Sequence, residues 1–220
     1  MFPGLLQPSV TIALRNVTAS FPPGITALCG PSGSGKSTLS KIIAGQFGCD
    51  EGSIVSAVAD ASTCCTVYLD PLFYLGYDGS KTVTSYLNEC KDDPAVAYLR
   101  NVFAIPEDGT VNGLLESQRR LFEVMLALTR SGYNNEKSAV VILDEYLDKD
   151  MSSVRSLFFN KLRQLCTQQV IKFQVLIVTH SKAVASECDH IVVLNKGVIY
   201  NQGEVGRVMK YLPKEYIVLP

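Results

Sequence analysis

The stretch Gly30-Pro31-Ser32-Gly33-Ser34-Gly35-Lys36-Ser37, followed by Thr38, constrains this chain more than any other feature. It fits G-x-x-x-x-G-K-[ST] at every fixed position and directly follows Ile25-Thr26-Ala27-Leu28-Cys29, an apolar run that reads as a buried strand. Strand, glycine-rich turn and a helix opening near Lys36 together make a phosphate-binding loop. The glycines let the backbone aim its N–H groups at one point, and the helix adds the positive end of its dipole. A nucleoside triphosphate suits such a cradle, with Lys36 bridging the outer phosphates and the Ser37 hydroxyl ligating the magnesium that neutralises them.

Bulk properties narrow the classes of partner. The 220 residues are 47% hydrophobic, enough for a sizeable core. With 20 basic against 21 acidic side chains the formal charge is −1, so there is no long-range pull toward nucleic acid or an anionic membrane, and no nucleic-acid partner is expected. Cysteines 29, 49, 64, 65, 90, 166 and 188 form an odd set without C-x-x-C pairs, mostly in apolar stretches. They read as reduced core thiols and predict a reducing compartment, cytoplasm or organelle interior. No apolar run approaches the about 18 residues that cross a bilayer, and the early phosphate loop leaves little room for a cleavable leader.

Along the chain, strand-like and helix-like runs alternate, which predicts an α/β fold. Residues 11–17 alternate like a half-buried strand, and 52–54 and 65–69 read as further strands. A helix is expected over 37–46. The middle region reads as helical over 82–90, 94–102 and 112–130. Continuous apolar runs return at 139–143 and 175–178, the pattern of strands buried on both faces of a parallel sheet, with a helix over 152–168 joining them. Residues 190–202 read as a hairpin around Asn195-Lys196-Gly197, before a last helix near 205–211.

Asp144 and Glu145 close the 139–143 strand. Ligands of a doubly wound sheet bind at the carboxyl ends of its strands, so both acids should face the crevice of the phosphate loop. Asp144 then suits a water-mediated shell of magnesium, and Glu145 suits activation of a water in line with the terminal phosphorus. His180, at the tip of the 175–178 strand, can reach the same crevice and donate a hydrogen bond to the terminal phosphate or the attacking water. His190 has no evident partner and reads as structural.

Gly30 to Thr38, Leu143-Asp144-Glu145, Val178-Thr179-His180-Ser181 and Ile191-Val192-Val193-Leu194-Asn195-Lys196-Gly197 stand in the order and approximate spacing of the nucleotide-binding domain of ATP-binding cassette (ABC) proteins, which the chain resembles over nearly its whole length. The resemblance implies a single P-loop NTPase domain over 1–220: a mostly parallel core sheet, a small N-terminal antiparallel subdomain, and a helical lobe inserted at about 71–130. It implies ATP and Mg2+ as ligands, Glu145 as catalytic base and His180 as switch histidine. It also implies head-to-tail pairing with a second such domain, each ATP lying between one partner's phosphate loop and the other's signature sequence.

The departures are as informative. At the family's Leu-Ser-Gly-Gly-Gln signature this chain has Leu114-Leu115-Glu116-Ser117-Gln118. Leu115 cannot donate a hydrogen bond and Glu116 brings negative charge toward phosphate oxygens. Leu69-Asp70-Pro71 stands where a magnesium-touching glutamine is usual, Tyr146 where proline often follows the glutamate, and only Phe2 offers itself upstream of Val10 for adenine stacking. The groups serving the chain's own nucleotide are thus present, while those offered to a partner's are degraded. A heterodimer is favoured over a homodimer. Three classes of function follow: an ATPase subunit powering or gating a membrane transporter, a soluble ABC ATPase without transport, and a structural subunit that binds nucleotide with little turnover.

Overall fold

The computed structural model describes residues 12–54, 64–70, 76–88, 94–133, 138–147, 155–167, 173–213 and 216. Six strands form one sheet: β1 (Gly24–Cys29), β2 (Cys64–Leu69), β3 (Ser138–Asp144), β4 (Phe173–Val178), β5 (His190–Asn195) and β6 (Val198–Glu204). Their order is β2-β3-β4-β1-β5-β6, parallel except for β6. The expected apolar runs thus become neighbouring parallel strands, extended by one or two residues because the sheet supplies backbone partners beyond the apolar stretch. β1, where the phosphate loop departs, lies between β4 and β5.

Side-chain alternation along the strands divides the core in two. One face, with Leu28, Tyr68, Ile142, Leu176, Val178 and Val192, packs against Leu39 of α1 (Lys36–Ile43) and against the segment carrying Leu14, Val17 and Phe21. The other face, with Ile25, Val67, Val141, Val175 and Ile191, packs against α4 (Glu116–Arg130) and α5 (Arg155–Cys166) through Leu121, Phe122, Phe158 and Leu162. Burial on both faces is why these strands read as unbroken apolar runs. Between β2 and β3 the chain also forms α2 (Val83–Leu87), α3 (Pro94–Phe103) and a 3-10 turn over Val111–Gly113. The helix expected over 112–130 therefore breaks at Leu114, whose ψ of 143° is extended.

Two expected strands are corrected. Residues 12–17 form no strand, and the expected N-terminal antiparallel sheet is not formed among the described residues. The segment is tied to the molecule by Arg15 N–H donating to Gly197 C=O at 2.7 Å, a single backbone bond rather than a ladder among the described residues. Residues 52–54 are likewise irregular, with Ile54 exposed. Among the described residues neither segment is paired with a strand edge. The 195–197 hairpin is present, and its central residues Lys196 and Gly197 have φ of 46° and 79°, the positive pair that a tight two-residue turn requires. Among the described residues the remaining helices are α6 (Lys182–Ala185) and α7 (Val205–Val208), the latter shorter than the helix expected there.

Asp189, between α6 and β5, fixes the start of β1. Its carboxylate accepts from Ile25 N–H at 2.9 Å while its own N–H donates to Ile25 C=O at 2.9 Å. Asp189→Ala leaves the buried Ile25 N–H without an acceptor and should lower unfolding free energy by about 1–3 kcal/mol, read from urea denaturation.

The thiols are less uniform than expected. Cys29, Cys65 and Cys188 are buried and Cys64 and Cys166 partly so, but Cys49 is exposed; Cys90 lies outside the described residues. Burial pushes the Cys166 thiol up to about 12 and the Cys188 thiol well above its ordinary value, so neither is a reactive thiolate.

Candidate nucleotide-binding site

The phosphate loop runs from the end of β1 to the first turn of α1 with no room for a side chain at Gly30 or Gly35. A Cβ on Gly30 (φ 146°) would stand 2.1 Å from Leu194 C=O, and one on Gly35 (φ 100°) 2.7 Å from Ala13 C=O. Gly35 caps α1 without a side-chain acceptor, so the amides of the first helical turn are left for a ligand. Lys36 is buried, and its ammonium donates to Gly30 C=O and Pro31 C=O, both at 3.0 Å.

An open cleft of about 620 Å³ lies over this loop. Ser32, Gly33, Gly35, Lys36, Ser37 and Thr38 line it, and so do Glu145 and His180 from the ends of β3 and β4. Gly30, Pro31 and Ser34 do not face it. Ser34 is buried, and its carbonyl accepts from Gly197 N–H at 3.0 Å, which ties the loop to the β5–β6 turn. His190, at the start of β5, does not line the cleft either.

The two acids divide. Adjacent strand residues point to opposite faces. Asp144, still in β3, is buried beneath the cleft floor, its Oδ1 accepting from Ser37 Oγ and its Oδ2 from Ser40 Oγ, each at 3.4 Å, while Tyr68 OH also donates to Oδ2. Glu145 adopts φ 53°, rare for a side chain larger than glycine, and its N–H donates to Val178 C=O at 2.9 Å. That bend brings its carboxylate back into the cleft, 2.7 Å from His180 Nε2. Thr179 holds His180 in place, its N–H donating to Leu28 C=O at 3.1 Å and its Oγ1 accepting from Ser181 N–H at 2.9 Å.

A Mg2+ ion and a triphosphate fit these groups. Ser37 and Asp144 form an all-oxygen pair of the type that holds magnesium through one or two protein oxygens, the phosphates and water completing the shell. The walls that sequence reasoning did not foresee are Ile12, Ala13, Lys196 and Gly197. Phe2 lies outside the described residues. Asp70 is not among the residues lining the cleft.

The segment 114–118 sits at the start of α4. Leu115 caps the helix and is 64% exposed, Glu116 pairs with Arg120 at 2.9 Å, and Gln118 Oε1 accepts from Leu115 N–H at 3.0 Å. Tyr146 fixes α4 to the loop after Glu145. Its hydroxyl donates to Glu123, its ring lies 4.3 Å from the Arg120 guanidinium, and Tyr77 OH donates to the same Glu123 at 2.6 Å.

Residues 14–148 match the sequence profile of the family described as ABC transporter. The chain belongs to that family. It is 29% identical over 93% of its length to a sulfate/thiosulfate import ATP-binding protein of Pseudomonas syringae pv. tomato, covering 67% of that protein, and 28% identical over 94% to one from Nocardia farcinica, covering 65%. It is also 28% identical over 87% of its length to the ATP-dependent lipid A-core flippase of Escherichia coli K12, covering 35% of it. The chain thus spans about two thirds or less of the length of these curated relatives. An ATP-binding cassette of an ABC transporter in its ADP conformation superposes with a TM-score of 0.69 at 20% identity, over 90% of this chain and 89% of that one. A dimeric cassette bound to ADP and Pi gives 0.62 at 18%, over 92% and 94%. The fold is accordingly that of an ABC nucleotide-binding domain, a P-loop NTPase, whose ligands in this family are ATP and Mg2+. In transporters, domains of this family pair with a second nucleotide-binding domain and with membrane domains. Among the described residues no helix is long and apolar enough to cross a membrane.

Proposed function

We propose that this chain, taken as one nucleotide-binding domain with a helical lobe near 71–130, binds MgATP in the cleft and turns it over slowly or only with a partner, powering or gating a membrane transporter. The observation that carries the reading is an asymmetry between its two functional ends. Lys36, Ser37, Asp144, Glu145 and His180 are gathered around one cleft, whereas the start of α4 offers Leu115 and Glu116.

The amides around Gly35 and Lys36 bind the phosphates, and Lys36 neutralises the outer ones. Ser37, and Asp144 through water, would hold the cation, which when bound offsets charge on the phosphate oxygens and polarises the terminal phosphorus. Glu145 accepts the proton of an attacking water, and His180 holds that carboxylate and the water in register. At a second domain's nucleotide, Leu115 supplies apolar surface where a donor is needed, and Glu116 adds repulsion that Arg120 only partly offsets. A partner bearing an intact signature completes one site, so a heterodimer is the assembly we favour. The relatives' names mention cargoes as different as sulfate and lipid A-core. The membrane partner is therefore what selects the cargo.

Purified alone, the chain should bind ATP yet hydrolyse it at a rate about 10²-fold below that of a domain with a complete signature, because preorganised donors at the transferring phosphoryl group contribute about that factor. Brisk, cooperative turnover by the homomer overturns the asymmetry. Restoring the signature with Leu115→Ser, Glu116→Gly and Ser117→Gly should raise homomeric turnover about tenfold or more. Asp70, in place of the usual glutamine and not among the residues lining the cleft, favours a second reading: a nucleotide-binding subunit that works without transport. Co-purification from native membranes separates the two, since only the first requires an integral membrane protein.

A further inference from the structure

Tyr68 is the one aromatic residue in β2, Cys64–Leu69, and parallel register pairs it with Ile142 of β3. Tyr68 and Asp144 therefore share the sheet face that packs on α1, and both are buried, at 8% and 5% exposure. A buried tyrosine needs a partner for its hydroxyl, and a buried carboxylate needs donors or a cation. Here each satisfies the other: Tyr68 OH donates to Asp144 Oδ2. Ser40, one turn into α1, shares its one hydroxyl proton between Ser37 C=O at 3.1 Å and that same oxygen at 3.4 Å, leaving Oδ1 for Ser37 Oγ at 3.4 Å.

The two oxygens of Asp144 are thus unequal. Oδ2 is anchored chiefly by the Tyr68 hydroxyl from β2, with Ser40 of α1 as a shared donor, while Oδ1 faces the hydroxyl that serves the metal. A carboxylate free to rotate would present either oxygen, or both, to its neighbours. Anchoring removes that freedom before the cation arrives, and preorganisation of this kind raises affinity by lowering the cost of ordering.

We infer that Tyr68, assisted by Ser40, is a positioning residue for magnesium: it fixes the Asp144 carboxylate so that Oδ1 alone is turned toward Ser37 and the cation. The inference rests on the reading of Asp144 and Ser37 as the magnesium pair. It assigns Tyr68 no contact with nucleotide.

The test is ATP binding by the full chain, measured calorimetrically at stepped free Mg2+ and again in excess EDTA. Tyr68→Phe should raise the free Mg2+ needed for the half-maximal gain in ATP affinity by about tenfold or more, the scale of one lost hydrogen bond to a charged group. Its metal-free ATP affinity should stay within about twofold of wild type, because the phosphate loop is untouched. Ser40→Ala removes the second donor with less change in packing and should move the Mg2+ midpoint in the same direction, so it decides the matter if Tyr68→Phe does not fold. A purely packing role for Tyr68 predicts lowered thermal stability at an unchanged Mg2+ midpoint, and that result overturns the inference. A wild-type chain whose ATP affinity ignores Mg2+ overturns the Asp144 reading itself, a different and separately visible failure.

Discussion

Lys36→Ala is expected to lower ATP affinity by about 10²-fold or more and to abolish the rise in melting temperature that ATP otherwise produces. The ammonium is buried at the neck of the loop on two neutral carbonyls, Gly30 and Pro31, at 3.0 Å each. Phosphate oxygens offer the same cation acceptors with formal charge, and a hydrogen bond to a charged group is worth about 1.5–3 kcal/mol, or roughly ten- to a hundredfold per contact. Two such contacts account for the expected loss. Alanine frees no glycine position and leaves the closely packed backbone at Gly30 and Gly35 in place, so the deficit should belong to the ligand rather than to the fold. Titration calorimetry of the variant with MgATP checks this; an affinity equal to wild type removes the basis of the nucleotide reading.

Glu145→Gln should separate binding from chemistry. Glutamine matches the shape of glutamate and can still bond to His180, 2.7 Å away, but an amide cannot take a proton from water. Turnover in the assembled complex should fall by about 10²- to 10⁴-fold, the usual contribution of a general base, while ATP affinity changes by less than about threefold. Single-turnover release of phosphate gives the first quantity and equilibrium binding the second. Retained turnover moves the base elsewhere and leaves Glu145 as a mere partner of His180.

Much of the site was legible because its chemistry is carried by contiguous residues. The run from Gly30 to Thr38 dictates its own turn, and the apolar runs before Asp144 and before His180 predict strands whose carboxyl ends meet at the loop. The division of labour between Asp144 and Glu145 was not legible. Strand alternation alone sends neighbouring side chains apart, and only the left-handed φ of Glu145, held by its bond to Val178, lets the first acid stay beneath the floor while the second enters the cleft. The alternation of residues 11–17 misled for the converse reason: among the described residues, 12–17 are paired with no strand edge, and Ala13 and Leu14 instead lie over Gly35 and Gly197.

Local sequence was sufficient for the phosphate loop, the buried parallel strands and the Asn195-Lys196-Gly197 turn, since each depends on backbone geometry set within a few residues. Tertiary structure alone decided that Tyr68 reaches Asp144 and that Tyr77 and Tyr146 converge on Glu123 of α4. These partners are 23 to 76 residues apart. Their meeting depends on which strands and helices pack together and in what register, information that no short pattern of residues contains.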